Sequence, residues 1–237
     1  TTMFNRIRLF TSGFLFLFSI YCIIWNPQLP FSLPTWVYIA ATVYFAAFPV
    51  KDMLPQFSRN RYKGRQFGYG YEGKPDCTDT ALLQTKRKYD RRALAVLVFW
   101  LCFMASAGSL YLTGVIGREW IFFFFALSNF GVYFSIFFWC PFYSLFLRPE
   151  CCMECRIYNW DSFFSYSFLI YLPSVCTVLL FSLGVLSLLV WESMHHRHPE
   201  RFYKVSSAGL ACELCDHEAC KQNKKKFFSK ELKEEEK

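Results

Sequence analysis

Two short cysteine clusters hold the side chains of this chain that are best suited to chemistry. The clusters are Cys151, Cys152 and Cys155, followed by Cys212, Cys215 and Cys220. Each contains a C-x-x-C spacing, which lets one turn of backbone direct two sulfur atoms at a single metal ion. If the clusters lie on the same side of a membrane they can form one site, and on opposite sides they cannot. Membrane topology therefore decides the chemistry.

The sulfur atoms of these clusters predict a metal site of one of two kinds. A tetrahedral zinc site with thiolate ligands would use Cys152, Cys155, Cys212 and Cys215. All six thiolates also suit an iron–sulfur cluster with two spare ligands, because both metals favour soft sulfur donors. His217 is a further candidate ligand. The alternative is a set of unliganded thiols, some of them lipid-modified beside the membrane.

The composition is that of a polytopic membrane protein. Of the 237 residues, 54% are hydrophobic and only 19% are charged, and the charges avoid long stretches of sequence. A soluble domain of this length carries more charge and fewer aromatic residues. Five further cysteines stand alone, four of them in apolar runs, where cysteine behaves as a small hydrophobic residue. A secreted disulfide framework is disfavoured.

Four apolar runs predict full membrane spans, and a fifth run is ambiguous. The four cover residues 9–25, 35–50, 93–116 and 120–147, and each is near the length that crosses the hydrocarbon layer. The fifth, residues 162–191, contains Pro173, which removes a backbone donor and clashes with the preceding turn. It is either one long kinked helix or a hairpin, with a half-span over residues 162–172 and a full span over residues 174–191.

The distribution of basic residues favours the hairpin. Residues 51–92 hold 11 Lys and Arg and the tail from residue 192 holds 10, whereas residues 26–34 hold none. Cytoplasmic segments are enriched in these residues. The hairpin places all but one of the 26 basic residues in the cytoplasm, whereas five alternating spans would place the basic tail outside. Both cysteine clusters would then face the cytoplasm, where thiols stay reduced.

The predicted spans contain no Asp, Glu, Lys, Arg or His. This argues against a pump or a proton-coupled transporter, since ionisable residues mark the paths of such proteins. Asn129, the most polar residue within a span, predicts an interhelical hydrogen bond. Asp161 is a candidate cap for the first hairpin helix.

Aromatic and histidine residues lie near the predicted span ends. The tryptophans expected in an interfacial belt are Trp25, Trp36, Trp120, Trp160 and Trp191. The last span is followed by His195, His196 and His198, and the sequence leaves three interpretations open. These histidines are additional metal ligands, a pH-responsive patch or part of a solvent-exposed interfacial segment. Glu200 and Arg201 are expected to pair locally.

The long basic loop predicts contact with anionic lipid headgroups or docking of a partner protein. Its glycines lack the ending of a phosphate-binding loop, so nucleotide binding is not predicted, and nucleic-acid binding is not predicted for the basic face. Residues 82–92 predict a helix that leads into the third span. Residues 221–237 mix Lys and Glu and predict a frayed helix or a disordered end.

The segment C-C-M-E-C-R-I-Y-N-W-D at residues 151–161 resembles part of a family of uncharacterised bacterial polytopic membrane proteins. The segment H-P-E-R-F at residues 198–202, followed by the second cysteine cluster, resembles it too. The similarity runs from about the fourth span to Cys220. It implies a bacterial inner-membrane location and supports treating the six cysteines as one unit, and it implies no mechanism.

We therefore predict an all-α integral membrane helical bundle with four full spans and a Pro-broken C-terminal hairpin. Its segments are residues 1–50 and 93–147 with two spans each, the basic loop 51–92, the first cysteine segment 148–161, the hairpin 162–191 and the tail 192–237. The predicted function is a non-enzymatic accessory or scaffold subunit with other membrane-protein partners. The alternatives are an iron–sulfur electron-transfer subunit and a channel or carrier for a neutral solute. Both termini are predicted to be cytoplasmic.

Overall fold

The computed structural model describes residues 2–54, 66, 68, 71–75, 77–138, 140–142 and 155–210. This part of the chain is all-helical and contains no strand, although an isolated antiparallel bridge joins Gly73 to Ser207. Its main α-helices are α1 (Thr2–Trp25), α2 (Thr35–Met53), α3 (Asp79–Leu112), α4 (Arg118–Phe137), α5 (Asp161–Tyr166) and α6 (Val175–Arg197). Short 3₁₀ helices, Arg156–Trp160 and Ser167–Tyr171, flank α5. The predicted all-α class is confirmed.

Within the described part of the chain, three helices are long and apolar enough to cross a membrane. They are Arg6–Trp25, Asp79–Leu112 and Val175–Arg197. Helices α2 and α4 overlap the second and fourth predicted spans, and their 19 and 20 residues correspond to nearly 30 Å of helix. That length is close to the thickness of the hydrocarbon layer.

Two helix boundaries differ from the predicted ones. Helix α3 begins at Asp79 and continues to Leu112, so the polar helix predicted over residues 82–92 forms one rod with the third span. Helix α4 ends at Phe137, well before the predicted boundary at residue 147. The cause is Pro141, which lacks an N–H group and disfavours helical geometry at the residue before it. Residues 143–150 lie outside the described part.

A break at Pro173 separates two helical arms. The 3₁₀ helix Ser167–Tyr171 is followed by its C-cap residue, Leu172, and α6 begins after Ser174. The Ser174 hydroxyl accepts a hydrogen bond from the Thr177 N–H at 3.2 Å, and the Thr177 hydroxyl accepts one from the Ser174 N–H at 3.0 Å. This reciprocal cap satisfies two N–H groups that the start of a helix leaves without partners.

Residues 156–171, here called the first arm, run antiparallel to α6. Arg156, at the start of the arm, pairs with Glu192 near the end of α6. Further along, a Cβ atom at Gly184 would lie 3.0 Å from the Ser162 carbonyl oxygen. Residue numbers rise along the first arm while those of its partners on α6 fall. The two segments are therefore antiparallel, and the chain reverses direction at the break.

The first arm also runs alongside α3, in the same direction. Arg156 pairs with Asp90 at one end, and at the other end the Tyr171 hydroxyl donates to the Met104 carbonyl at 3.0 Å. The helix from Asp90 to Met104 rises about 21 Å. This depth is about two thirds of a hydrocarbon layer of about 30 Å.

Helix α1 packs antiparallel to α4. A Cβ atom at Gly13 would lie 3.6 Å from the Phe130 ring, and the Phe18 and Phe122 rings meet edge to face at 6.3 Å. The guanidinium of Arg8, near the start of α1, lies 3.7 Å from the centre of the Phe48 ring, near the end of α2. The start of α1 therefore lies beside the ends of α2 and α4.

These contacts give the bundle two distinct ends. One, here called the short-turn end, carries the connections at residues 26–34, 113–117 and 172–174. The opposite end, here called the polar end, receives the starts of α1, α3 and the first arm and the ends of α2, α4 and α6. Each helix therefore starts at the end where the preceding one finished.

Aromatic side chains fill the space around the first arm. The Trp100 ring lies 4.8 Å from the Phe164 ring and 5.8 Å from the Phe168 ring, all three within one buried cluster. Asn129 is 2% exposed, and its amide donates to the Ser165 carbonyl of the first arm at 3.5 Å. This is the interhelical hydrogen bond that the sequence predicted.

Candidate functional site

The polar end is organised around the guanidinium of Arg156. Its Nε atom donates to Glu192 Oε1 at 2.9 Å, its Nη2 atom donates to Glu192 Oε2, and its Nη1 atom donates to Asp90. A two-point contact between arginine and carboxylate fixes direction as well as distance. One side chain thus joins the first arm to α6 and α3.

Burial and charge act in opposite directions on Arg156. Burial alone would lower the pKa of the guanidinium, but the hydrogen bonds and charge of Glu192, with the charge of Asp90, raise it above its ordinary value. The Trp160 indole N–H also donates to Glu192 Oε1 at 2.8 Å. Glu192 therefore accepts hydrogen bonds from two side chains of the first arm.

The expected interfacial position is wrong for two of the five tryptophans. Trp160 and Trp191 are only 3% and 2% exposed, because Trp160 is part of the larger hydrophobic core and Trp191 packs with Phe202 and Tyr203 of the tail. Trp25 and Trp36 are about 70% exposed and Trp120 is partly exposed, as a belt requires. The predicted cap is also wrong in detail: Asp161 is the first residue of α5, and its carboxylate accepts from the next N–H, that of Ser162, at 2.8 Å.

A second, small hydrophobic core lies next to the Arg156 ion pairs. Its buried members are Tyr89, Trp191, Phe202 and Tyr203, from α3, α6 and the tail. The Tyr89 and Tyr203 rings stack with their centres 5.8 Å apart. This core holds the beginning of the tail against α3 and α6.

His195 belongs to this core. It is 3% exposed, its Nε2 atom lies 2.8 Å from the Tyr203 hydroxyl oxygen, and its ring meets the Phe202 ring edge to face. The interpretation as a wetted segment is therefore wrong for His195 but fits His196, which is exposed. His198 lies 3.1 Å from Glu200, and the Arg201 Nε atom lies 3.7 Å from the same carboxylate, so the predicted pairing of Glu200 with Arg201 is present.

The tail continues by docking onto the loop between α2 and α3. The Lys74 N–H donates to the Ser206 carbonyl at 2.9 Å, and the Ala208 N–H donates to the Glu72 carbonyl at 3.0 Å. The Tyr71 hydroxyl donates to the same Ser206 carbonyl at 3.3 Å. Burial raises the pKa of Tyr71, and the charge of Glu200 raises it further. Loop and tail are thus joined through backbone groups.

The loop also requires a glycine where it meets Arg201. Gly68 has φ +98°, in the left-handed region, and a Cβ atom there would lie 2.9 Å from Arg201 Nη1. A side chain at this position would be both strained and too close to the guanidinium. Gln66, 1% exposed, contributes a further contact, since its Oε1 atom accepts from the Asn159 amide at 3.3 Å.

Of the six predicted metal ligands, only Cys155 lies within the described residues. Cys151, Cys152, Cys212, Cys215 and Cys220 lie outside them, as does His217. Cys155 is 7% exposed and directly precedes Arg156. Within the described ranges no group of three or more His, Cys, Asp or Glu side chains is placed to hold a metal ion. The proposed ligand set as a whole therefore stays a prediction.

The structure does bring together the two points at which the cysteine segments join the described part. Cys155 directly precedes the first arm at the polar end. Leu210, two residues before Cys212, is buried there through the tail that docks on Tyr89 and on the loop. Both segments therefore join the fold at the same end of the bundle.

Sequence reasoning missed the acidic partners of Arg156. The sequence places Asp90 in the basic loop 51–92 and Glu192 in the tail, and it does not indicate that either pairs with Arg156. A signal is present in their positions, since Asp90 lies three residues before the run 93–116 and Glu192 directly follows the run 162–191. The sequence does not indicate that Gln66 is buried, because it lies in a polar loop that is held in place by backbone hydrogen bonds to the tail.

No protein-family model, curated protein or solved structure matches this chain. The resemblance of the two cysteine segments to a membrane-protein family stays a prediction.

Proposed function

We propose that the chain is a non-enzymatic accessory or scaffold subunit of a membrane complex, with a thiolate metal site that ties together the two ends of its C-terminal hairpin. The observation that carries this proposal is the meeting of the hairpin ends through Arg156 and Glu192. Because Cys155 adjoins Arg156 and Leu210 lies at the same end, this geometry supports a site shared by the two cysteine clusters.

In this proposal α1, α2, α3 and α4 cross the membrane, and the first arm with α6 forms the Pro-broken hairpin. The polar end faces the cytoplasm and includes both termini. The support is a charge difference in the sequence: the connections at residues 26–34, 113–117 and 172–174 contain no Lys or Arg, and the proposal assigns all of the 26 basic residues except Arg118 to the cytoplasmic side. Cytoplasmic segments carry this excess.

The scaffold role is supported by how the polar groups are used. Arg156 is bound to carboxylates on two helices, and His195 is paired with Tyr203 of the tail. These contacts join helices to each other, as structural ties do. Partner subunits of the same membrane would meet the outward apolar faces of the helices.

The proposed metal is structural, with ligands drawn from Cys151, Cys152, Cys155, Cys212, Cys215 and Cys220. Among the described residues, four buried hydrophobic side chains form the core that holds the tail. So small a core supplies little stability, and metal binding commonly takes the place of a larger one. Zinc or an iron–sulfur cluster would fit the six sulfur donors.

Metal analysis of the full chain tests this proposal. Protein purified without oxygen is analysed for zinc, iron and sulfide and for visible absorption, together with Cys155→Ser, the pair Cys212→Ser/Cys215→Ser and the control Cys102→Ser. Cys102 is an exposed residue on α3. About one zinc per chain in wild type and control, lost in both other variants, supports the structural site.

Two results contradict parts of the proposal. Iron with sulfide and visible absorption, lost in the same variants, would make the chain an electron-transfer subunit. Metal that is absent from wild-type protein, or that is kept when either cysteine cluster is altered, would remove the shared site altogether.

A further inference from the structure

Helix α3 has an outward face that is apolar along its membrane portion. Leu94, Val98 and Phe99 on this face are 51–58% exposed, with large aliphatic or aromatic side chains. Exposed apolar side chains on a helix long enough to span a membrane are suited to contact with lipid. This face therefore points away from the rest of the protein and toward the bilayer.

The same face is basic where α3 extends beyond its apolar run. Arg87, Lys88 and Arg91 are exposed. Seven residues make nearly two helical turns, so Arg87 stands above Leu94 and Arg91 above Val98 on one face. Arg87 and Arg91 thus continue the lipid-facing side of the helix, and the Nζ atom of Lys88 beside them lies 5.9 Å from the centre of the Tyr89 ring.

The positive charges of Arg87, Lys88 and Arg91 are not neutralised by ion pairs within the described part of the chain. Asp90 is bound to Arg156 on the inner side of α3. Among the described residues, no carboxylate pairs with Arg87, Lys88 or Arg91. The Arg156 contact, which holds the first arm, therefore also engages Asp90, an acidic side chain within one helical turn of Arg87 and Arg91.

The height of these residues matches the lipid headgroups. The rise from Leu94 to Arg91 is about 4.5 Å and to Arg87 about 10 Å. The headgroup region of each leaflet extends roughly 5–8 Å beyond the hydrocarbon. With Leu94 set at the edge of the hydrocarbon layer, Arg91 would fall within that region, and the long side chains of Arg87 and Lys88 would reach it from just outside.

We propose that Arg87, Lys88 and Arg91 bind the phosphate groups of anionic phospholipids in the leaflet around the polar end. Guanidinium groups bind phosphate oxygens in pairs, and basic residues next to a span attract anionic lipids. The inference rests on the membrane placement in the proposed function and is independent of the metal site. It narrows the lipid contact expected for the whole basic loop to one face of α3.

Spin-labelled lipids test this proposal on the full chain in nanodiscs of phosphatidylcholine. The motionally restricted fraction of spin-labelled phosphatidylglycerol is compared with that of spin-labelled phosphatidylcholine. The variants are Arg87→Gln/Lys88→Gln/Arg91→Gln and the control Arg118→Gln, an exposed arginine at the short-turn end. Wild type and control should restrict phosphatidylglycerol preferentially, and the triple variant should lose this preference severalfold.

Added salt gives a second measurement that needs no variant. The preference for phosphatidylglycerol over phosphatidylcholine should fall as the salt concentration is raised from about 0.1 M to about 1 M, because salt screens the phosphate charge. An unchanged preference in the triple variant, or an equal loss in Arg118→Gln, would overturn the proposal. Failure of the chain to insert into nanodiscs would instead contradict the membrane placement in the proposed function, and with it this inference.

Discussion

Arg156 and Glu192 bind each other through two hydrogen bonds, although one belongs to the first arm and the other to α6. Their side chains are 19% and 28% exposed, so the pair is partly shielded from water. A paired contact of this kind has one favourable geometry. It therefore fixes where the first arm begins relative to α6, and Asp90 extends the same constraint to α3.

Replacing Arg156 by Lys should destabilise the fold while keeping the charge. Lysine offers a compact ammonium group and cannot contact both oxygen atoms of Glu192 and the carboxylate of Asp90 in the same fork geometry. We expect the free energy of unfolding to fall by about 2 kcal/mol, measured by thermal unfolding in detergent. Arg197→Lys, at an exposed position in the last turn of α6, is the matched control. Equal stability of both variants and wild type would refute a structural role for the fork.

Replacing Tyr203 by Phe should remove the hydrogen bond to His195 and keep the ring stacked on Tyr89. Because both groups are buried, the His195 nitrogen would lose a partner that water cannot replace. The expected loss is about 1 kcal/mol of unfolding free energy. Tyr21→Phe changes an exposed tyrosine at the short-turn end and should leave stability unchanged. If the two variants behave alike, the contact contributes nothing.

Gly108 and Gly131 provide a test of how closely the first arm approaches α3. A Cβ atom at Gly108 would lie 2.3 Å from the Tyr171 ring, whereas one at Gly131 would meet no atom within 4 Å. Gly108→Ala should force Tyr171 away from the Met104 carbonyl and cost about 1–3 kcal/mol.

Gly131→Ala is the control for helix propensity, since alanine favours a helix over glycine by about 1 kcal/mol. It should be neutral or stabilising in the same thermal unfolding measurement. A stabilising effect at both positions would mean that Tyr171 is not packed against Gly108.

The apolar runs were sufficient to predict the helices, because hydrophobic length is the main determinant of a span. Pro173 was sufficient to predict the break, since its missing N–H and its ring oppose a continuous helix. The end of α4 was misplaced because the apolar pattern continues past Pro141, where the backbone constraint overrides it. The cap formed by Ser174 and Thr177 was missed because the usual pattern has Glu or Gln in the position of Thr177.

The buried positions of Trp191 and His195 depend on the tail, and local sequence does not show where a tail folds. Residues at a span end are usually exposed to solvent. Here the ring of Tyr203 packs with Trp191, and the Ser206 carbonyl binds the loop between α2 and α3. The pairing of Arg156 with Asp90 and Glu192 joins three distant segments, so no single window of sequence contains it. Of the predicted ligand set, only Cys155 falls within the described residues.

The central claim is that both ends of the hairpin lie at the cytoplasmic face. One strand of a split fluorescent protein can be inserted in the full-length chain after Arg148 or Gly114, or fused after Lys237, with the complementing fragment expressed in the cytoplasm. The account predicts fluorescence for the tags at Arg148 and Lys237 and none for the tag at Gly114. Fluorescence at Arg148 with none at Lys237 would show that the chain crosses the membrane once between the two cysteine clusters, and would contradict the shared site.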